Sequence, residues 1–142
     1  MKYIISLFIA LAFLLASCGG GSKQQEEKFD NVKYGYGPVK SLTLGAIDQQ
    51  LANKGQKIFE EKCTACHRID AKLIGPKLGG VTKTRTPEFI MNMILNPTEM
   101  IQKNPEVQKL QQEANGVSMT FQNVSQDDAR AILEYLRTCE NK

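Results

Sequence analysis

Residues 63–67 read Cys-Thr-Ala-Cys-His, and His67 is the single histidine of a 142-residue chain. Two cysteines separated by two residues and followed at once by a histidine form the spacing for covalent attachment of a c-type haem. In that chemistry the sulfurs of Cys63 and Cys66 add to the two vinyl groups of the porphyrin, and the imidazole of His67 ligates the iron. One cofactor thus uses all three side chains. Two other chemistries compete for the same residues. A thiol-redox centre would use Cys63 and Cys66, but it belongs in a strand–helix–strand setting. A zinc site would need a fourth ligand, for which Cys139 is a candidate, and it would crowd three adjacent ligands around a tetrahedral ion.

The elements that must position these side chains read as helices joined by turns, with no alternating strand pattern and no internal repeat. Asp48 is a good N-cap for a helix running to Lys62, with Ile47, Leu51, Ile58 and Phe59 expected on one face. Gly55 costs about 1 kcal/mol relative to Ala inside that helix, which predicts a close contact with another helix at that point. After the cysteine motif, Arg68 to Arg85 is rich in glycine and contains Gly75-Pro76, so it is expected to be a loop. Thr86-Pro87-Glu88 and Asn104-Pro105-Glu106 each combine an N-cap, a proline at the first helical position and an acid in the first turn. The first of these helices should stop at Asn96-Pro97 and the second at Asn115-Gly116. Ser125 to Asp128 is close to a capping box, and the helix it opens carries Ala129, Ile132, Leu133 and Leu136 at helical spacing.

A second axial ligand for an attached haem cannot be a second histidine of this chain. Methionine, lysine, tyrosine, water or an open position remain. Beyond the N-terminal segment the methionines are Met91, Met93, Met100 and Met119. A methionine on an amphipathic helix more often fills a core than ligates a metal, and Met91 and Met100 fall on or near expected helices. Met119 lies instead in the irregular stretch 116–125.

Taken together, Gly55 and Phe59 ahead of Cys63-Thr64-Ala65-Cys66-His67, the Gly75-Pro76-x-Leu78 loop, a late Met119 and a last helix with Tyr135-Leu136 resemble a class I monohaem cytochrome c over roughly residues 48–138. The resemblance implies an all-α, cytochrome c-like small helical domain around one covalently attached haem c. It implies thioether attachment at Cys63 and Cys66, His67 as proximal ligand, the Pro76 carbonyl as acceptor for the other ring N–H of His67, and Met119 as the sixth ligand. Thr120 stands where the family commonly has a proline. A His/Met site raises the reduction potential and leaves no open coordination position, which suits a single-electron carrier rather than an enzyme. The alternative is a haem enzyme or gas-binding sensor with an open distal site.

The N-terminal residues add an address. One lysine precedes an apolar run from Tyr3 to Ala16, about 14 residues, where a membrane-crossing helix needs roughly 20. Residues 1–17 are therefore expected to be a signal peptide. Leu15-Ala16-Ser17-Cys18 resembles the lipobox of bacterial lipoproteins, which implies lipidation of Cys18 and anchoring to a bacterial membrane, facing the periplasm. Residues 18–45 are expected to form a tether and 46–142 the haem domain. A net charge of +3 gives no support to nucleic-acid binding. Basic residues nevertheless concentrate between Lys54 and Arg85, so a positive face including Lys72, Lys77 and Lys83 is expected to dock redox donor and acceptor proteins. Covalent attachment of haem after export also implies a maturation machinery as a partner.

Overall fold

The computed structural model describes residues 30–142; the expected signal segment, the lipidation position Cys18 and the start of the tether lie outside them. Among the described residues there are seven helices and no strand: α1 (Asn31–Tyr34), α2 (Gln49–Lys62), α3 (Val81–Thr84), α4 (Pro87–Leu95), α5 (Pro97–Lys103), α6 (Pro105–Glu113) and α7 (Gln126–Thr138). The architecture is the all-α one expected. No helix among these residues is long and apolar enough to cross a membrane.

Local chemistry sets most of the boundaries. The carboxylate of Asp48 accepts from the N–H groups of Gln50 and Leu51 at 2.9 and 3.0 Å. Thr86, Asn104 and Ser125 cap α4, α6 and α7 in the same manner. Each satisfies amides that have no partner within the first helical turn. Helix α6 ends in a turn where Asn115 and Gly116 both take positive φ, 56° and 79°. Two short helices depart from the expected pattern. The 68–85 segment is a loop only as far as Gly80, after which α3 makes a single turn, and α5 follows α4 directly through Asn96.

The frame of the molecule is the crossing of α2 with α7. Ala52, Gly55 and Phe59 form the buried stripe of α2, whereas Ile47, expected on that face, lies before the helix and is 46% exposed. A Cβ placed on Gly55 would stand 1.9 Å from the carbonyl oxygen of Ala131. The backbones therefore touch where only hydrogen fits. Next to this contact the Phe59 and Tyr135 rings pack with centroids 5.3 Å apart. The crossing is secured at its edge by Glu134, which is fully buried. It accepts from the Asp48 N–H at 2.8 Å, pairs with Arg137 at 2.8 Å and forms an ion pair with Arg130. Burial by itself raises the Glu134 pKa, but the Asp48 amide and the two guanidinium groups outweigh it and hold the carboxyl below its ordinary value.

The segment from Asp30 to Gly45, assigned to the tether by its composition, is packed as a strap on the domain. Val39 is buried in the main core beside Phe59, Ile90 and Met91. The buried Asn92 side chain accepts from the Val39 N–H at 3.0 Å and donates to the Tyr34 and Val39 carbonyls at 2.9 and 2.8 Å. Leu42 N–H donates to Glu88, Tyr36 N–H to the sulfur of Met100, and Asn104 donates to the carbonyls of Asn31 and Val32. The strap lends Val39, Leu42 and Leu44 to the main core and Tyr36 to the cluster of Phe89, Met100 and Val107. Its backbone is held because side chains of α4, α5 and α6 complete its hydrogen bonds.

Two substitutions test this frame. Gly55→Ala must separate α2 from α7 and is expected to cost about 2–3 kcal/mol, read as a lower denaturant midpoint at unchanged slope. Asn92→Ala removes three hydrogen bonds and leaves buried strap groups unpaired, with an expected loss of about 3 kcal/mol. Limited proteolysis should then cut first within residues 30–45.

Candidate functional site

Helix α2 ends at Lys62, and the chain continues its turn through the cysteine motif. The amides of Cys66 and His67 both donate to the Cys63 carbonyl, at 3.1 and 2.9 Å. This winding brings Cys63, Cys66 and His67 to the wall of one apolar cavity, and all three cysteines of the described region are free thiols. Burial pushes the Cys63 thiol up to about 11, against the pull of the Lys62 ammonium and with a further push from Cys66. A thiol so far from ionisation is unlike the low-pKa thiolates of redox-active pairs. No strand is present among the described residues to supply the setting that a thiol-redox centre requires. No group of three His, Cys, Asp or Glu side chains among them could hold a metal ion, so zinc gains no support either. Cys139 is fully buried at the C-terminus of α7, where its carbonyl accepts from Gly80.

The ring of His67 is oriented from two sides. Its Nδ1–H donates to the carbonyl oxygen of Pro76 at 3.1 Å, which leaves Nε2 as the nitrogen for a metal. Gly75 lies flat against the ring. A Cβ there would meet Cε1, Nδ1 and Nε2 at 2.3, 2.7 and 2.8 Å. The loop that brings Gly75 and Pro76 into place is paired back onto the motif, with Gly75 N–H donating to Cys66 at 2.9 Å, Leu78 to Arg68 at 3.0 Å and Gly79 to Ile69 at 2.8 Å.

The facing wall comes from α4, α5, α6 and the irregular segment after them. Ile90, Met93, Ile94, Ile101, Val107, Leu110 and Met119 all line the cavity. The space between the walls, counted out to the solvent at its mouth, is about 1310 Å³. Every residue expected at the haem site, namely Cys63, Cys66, His67, Pro76 and Met119, therefore borders one cavity. The four remaining methionines divide cleanly. Met91 is buried in the main core, Met100 is fully buried with its sulfur accepting the Tyr36 N–H at 3.0 Å, and only Met93 and Met119 reach the cavity. Met93, one of the four candidate methionines, is placed by α4 on the cavity wall. Arg85, which lines the cavity and pairs with Glu106, carries no such signal in the sequence, where it looks like one more surface base.

Two thiols at attachment spacing, an imidazole with one nitrogen committed and one left over, a glycine that admits the ring, and a facing wall that is mostly apolar and carries two methionines fit a covalently attached haem. Polar pockets for phosphates or sugars have a different lining. Of the three lysines expected to form a docking face, Lys72 donates to the Glu113 carbonyl at 2.8 Å and Lys83 to Asn141 at 2.7 Å. Lys77 is exposed.

Comparisons with known proteins agree with this fit. A family model described as cytochrome c matches residues 52–140. Cytochrome c2 of Rhodopseudomonas palustris is 26% identical over 122 residues, which is 69% of this chain and 87% of that protein. A cytochrome c-553-like protein of Synechocystis is 33% identical over 60 residues, 39% of this chain and 57% of that protein. The solved structure of cytochrome c from Rhodothermus marinus is 49% identical, covers 78% of this chain and 95% of its own, and superposes with a TM-score of 0.74. An engineered form of that protein, bound to a carbene intermediate, is 46% identical over 79% of this chain and 97% of its own, with a TM-score of 0.71.

The contact between Gly75 and His67 gives a direct test. Gly75→Ala must displace the imidazole, so the oxidised, haem-loaded variant is expected to show a high-spin absorption component absent from the wild type. A wild-type spectrum would mean that the ring tolerates the methyl group.

Proposed function

The chain belongs to the cytochrome c family, carries one covalently attached haem c and is an electron carrier, and from that premise we propose that it is a membrane-tethered shuttle whose iron is held between His67 and Met119. When bound, the haem supplies reversible one-electron chemistry at its iron. The chain's own residues do the rest. Cys63 and Cys66 hold the group through thioether bonds, Pro76 and Gly75 fix the plane and tautomer of His67, and the apolar wall keeps water from the iron. The observation that carries the axial assignment is the sorting of the methionines. Met119 lies on a cavity-lining segment with no helical geometry to satisfy, whereas Met93 is built into α4 and Met91 and Met100 are committed elsewhere.

The tether begins at a lipidated Cys18 in this reading, after removal of residues 1–17, and the protein faces the periplasm from a bacterial membrane. With residues 30–45 packed on the domain, the span left for the proposed tether is residues 18–29. At no more than about 3.5 Å per residue, its reach is roughly 40 Å. Such a leash raises the effective concentration of the carrier for donors and acceptors at the same membrane. Docking would use the cavity mouth, where Ile74 and Val117 are exposed, together with Lys77. Lys72 and Lys83 would add charge while engaged with their own chain. Haem attachment after export makes a maturation machinery the remaining partner.

The test compares oxidised absorption spectra of the haem-loaded wild type, Met119→Ala and Met93→Leu. The expected outcome is a weak far-red sulfur-to-iron charge-transfer band in the wild type and in Met93→Leu, lost in Met119→Ala. Loss in Met93→Leu instead would move the ligand to α4. A high-spin wild type without the band would replace the carrier reading with a haem enzyme or gas-binding sensor with an open distal face.

A further inference from the structure

Helix α6 forms much of the wall that faces His67, yet it has no extensive contact with the α2–α7 frame. Val107 is its one buried residue, and its one extensive helix contact is with α5. Polar contacts fasten it at both ends. At its start Glu106 forms an ion pair with Arg85, which lies just ahead of α4 and over the Phe89 ring, in the same wall. At its end the ammonium of Lys72, on the loop between His67 and Pro76, donates to the Glu113 carbonyl at 2.8 Å, a contact between residues 41 apart. We propose that Lys72 is a positioning residue for the electron-transfer site: its ammonium latches the His67 loop to the end of α6 and so holds the Met119 wall closed over the cavity.

The path from Lys72 to Met119 is short and continuous. A cation at a helix C-terminus satisfies a carbonyl that lacks an intrahelical partner and meets the negative end of the helix dipole. Directly after Glu113 the chain folds back on α6. Ala114 N–H donates to Leu110 at 3.0 Å, Gly116 to Gln111 at 2.9 Å and Val117 to Ala114 at 3.1 Å. The Gln111 amide then donates to the hydroxyl of Ser118 at 2.6 Å, and the next residue is Met119. Beyond it, the chain is next buried in the core at Val124. Met119 is therefore carried on a span whose near end is fixed to α6, and α6 is closed onto the other wall by Lys72. This assignment rests on Met119 being the sixth ligand, and the experiment separates the two claims.

The haem-loaded wild type, Lys72→Ala, Lys72→Arg and Lys77→Ala are compared in two measurements on the oxidised protein. The first is hydrogen exchange of the amides of Ala114, Asn115, Gly116 and Val117, which needs no assumption about the ligand. The second is the rate at which added imidazole replaces the internal sixth ligand. Lys72→Ala is expected to speed both by about threefold to tenfold, Lys72→Arg to restore most of the wild-type rate, and Lys77→Ala, an equal loss of charge, to change neither. Unchanged exchange in Lys72→Ala overturns the latch. Faster exchange with an unchanged imidazole rate overturns the positioning role, because the contact then stabilises α6 without reaching the iron. Absence of the far-red band from the wild type sinks the Met119 assignment alone, and the exchange data still decide the latch.

Discussion

The contact of Gly55 with the carbonyl of Ala131 is the constraint on which the rest of the molecule depends. Helices this close bury both backbones and leave no room for adjustment, so the C-terminal end of α2 is delivered to one place. That end carries Cys63, Cys66 and His67. A haem held through these three side chains, as proposed, would have its position set by one short stretch of chain, and any freedom in α2 would become freedom of the cofactor. The buried Glu134, shared between the Asp48 amide and two arginines, serves the same end by pinning the start of α2 to the middle of α7. An ion group without hydrogen bonds to all its oxygens would be costly there. Here both oxygens are engaged.

The two walls of the cavity are held by different physics. The His67 wall continues a long helix and is locked by backbone pairing of Gly75, Leu78 and Gly79 to residues 66–69. The opposite wall is made of α4, α5 and α6, of nine, seven and nine residues, lengths at which an isolated helix is marginal in water. Their persistence depends on long-range tie-downs, namely Asn92, Met100 and Asn104 to the strap, Arg85 between α4 and α6, and Lys72 across the cavity. The strap therefore acts at a distance on the site. None of its residues lines the cavity, yet Tyr36 packs on Phe89 and Val107, which do, and on Met100.

What could be read from the sequence follows from this division. Signals confined to a few neighbouring residues were legible: the cysteine–histidine motif, the caps at Asp48, Thr86, Asn104 and Ser125, the stop at Asn115-Gly116, and even the helix contact implied by a glycine inside α2. Asp30 to Gly45 reads as tether because it lacks periodic hydrophobicity, and no local pattern reveals that Asn92, more than 50 residues away, completes its backbone hydrogen bonds. For the same reason α5 passed unnoticed, since its proline start directly abuts the end of α4. The lysines show the limit most plainly. Composition places Lys72, Lys77 and Lys83 on one basic surface, but only coordinates reveal that two of the three ammonium groups are bonded within the chain.

An electron carrier must keep the surroundings of its iron similar in both oxidation states, and that requirement explains the uneven construction. Rigidity is needed most at the attachment points and the axial imidazole, where the densest backbone pairing lies. The sulfur side has a different demand if Met119 is the ligand proposed above, because its side chain would then have to approach the iron without a helix dictating its angle. An irregular segment meets it, at the cost of local stability. Polar fastenings at the ends of α6 restore order to that wall without crowding the cavity with further apolar bulk. They also sit near its solvent-facing mouth, where Ile74 and Val117 are exposed, so a protein docking there would meet a surface whose shape the chain's own ion contacts have already set.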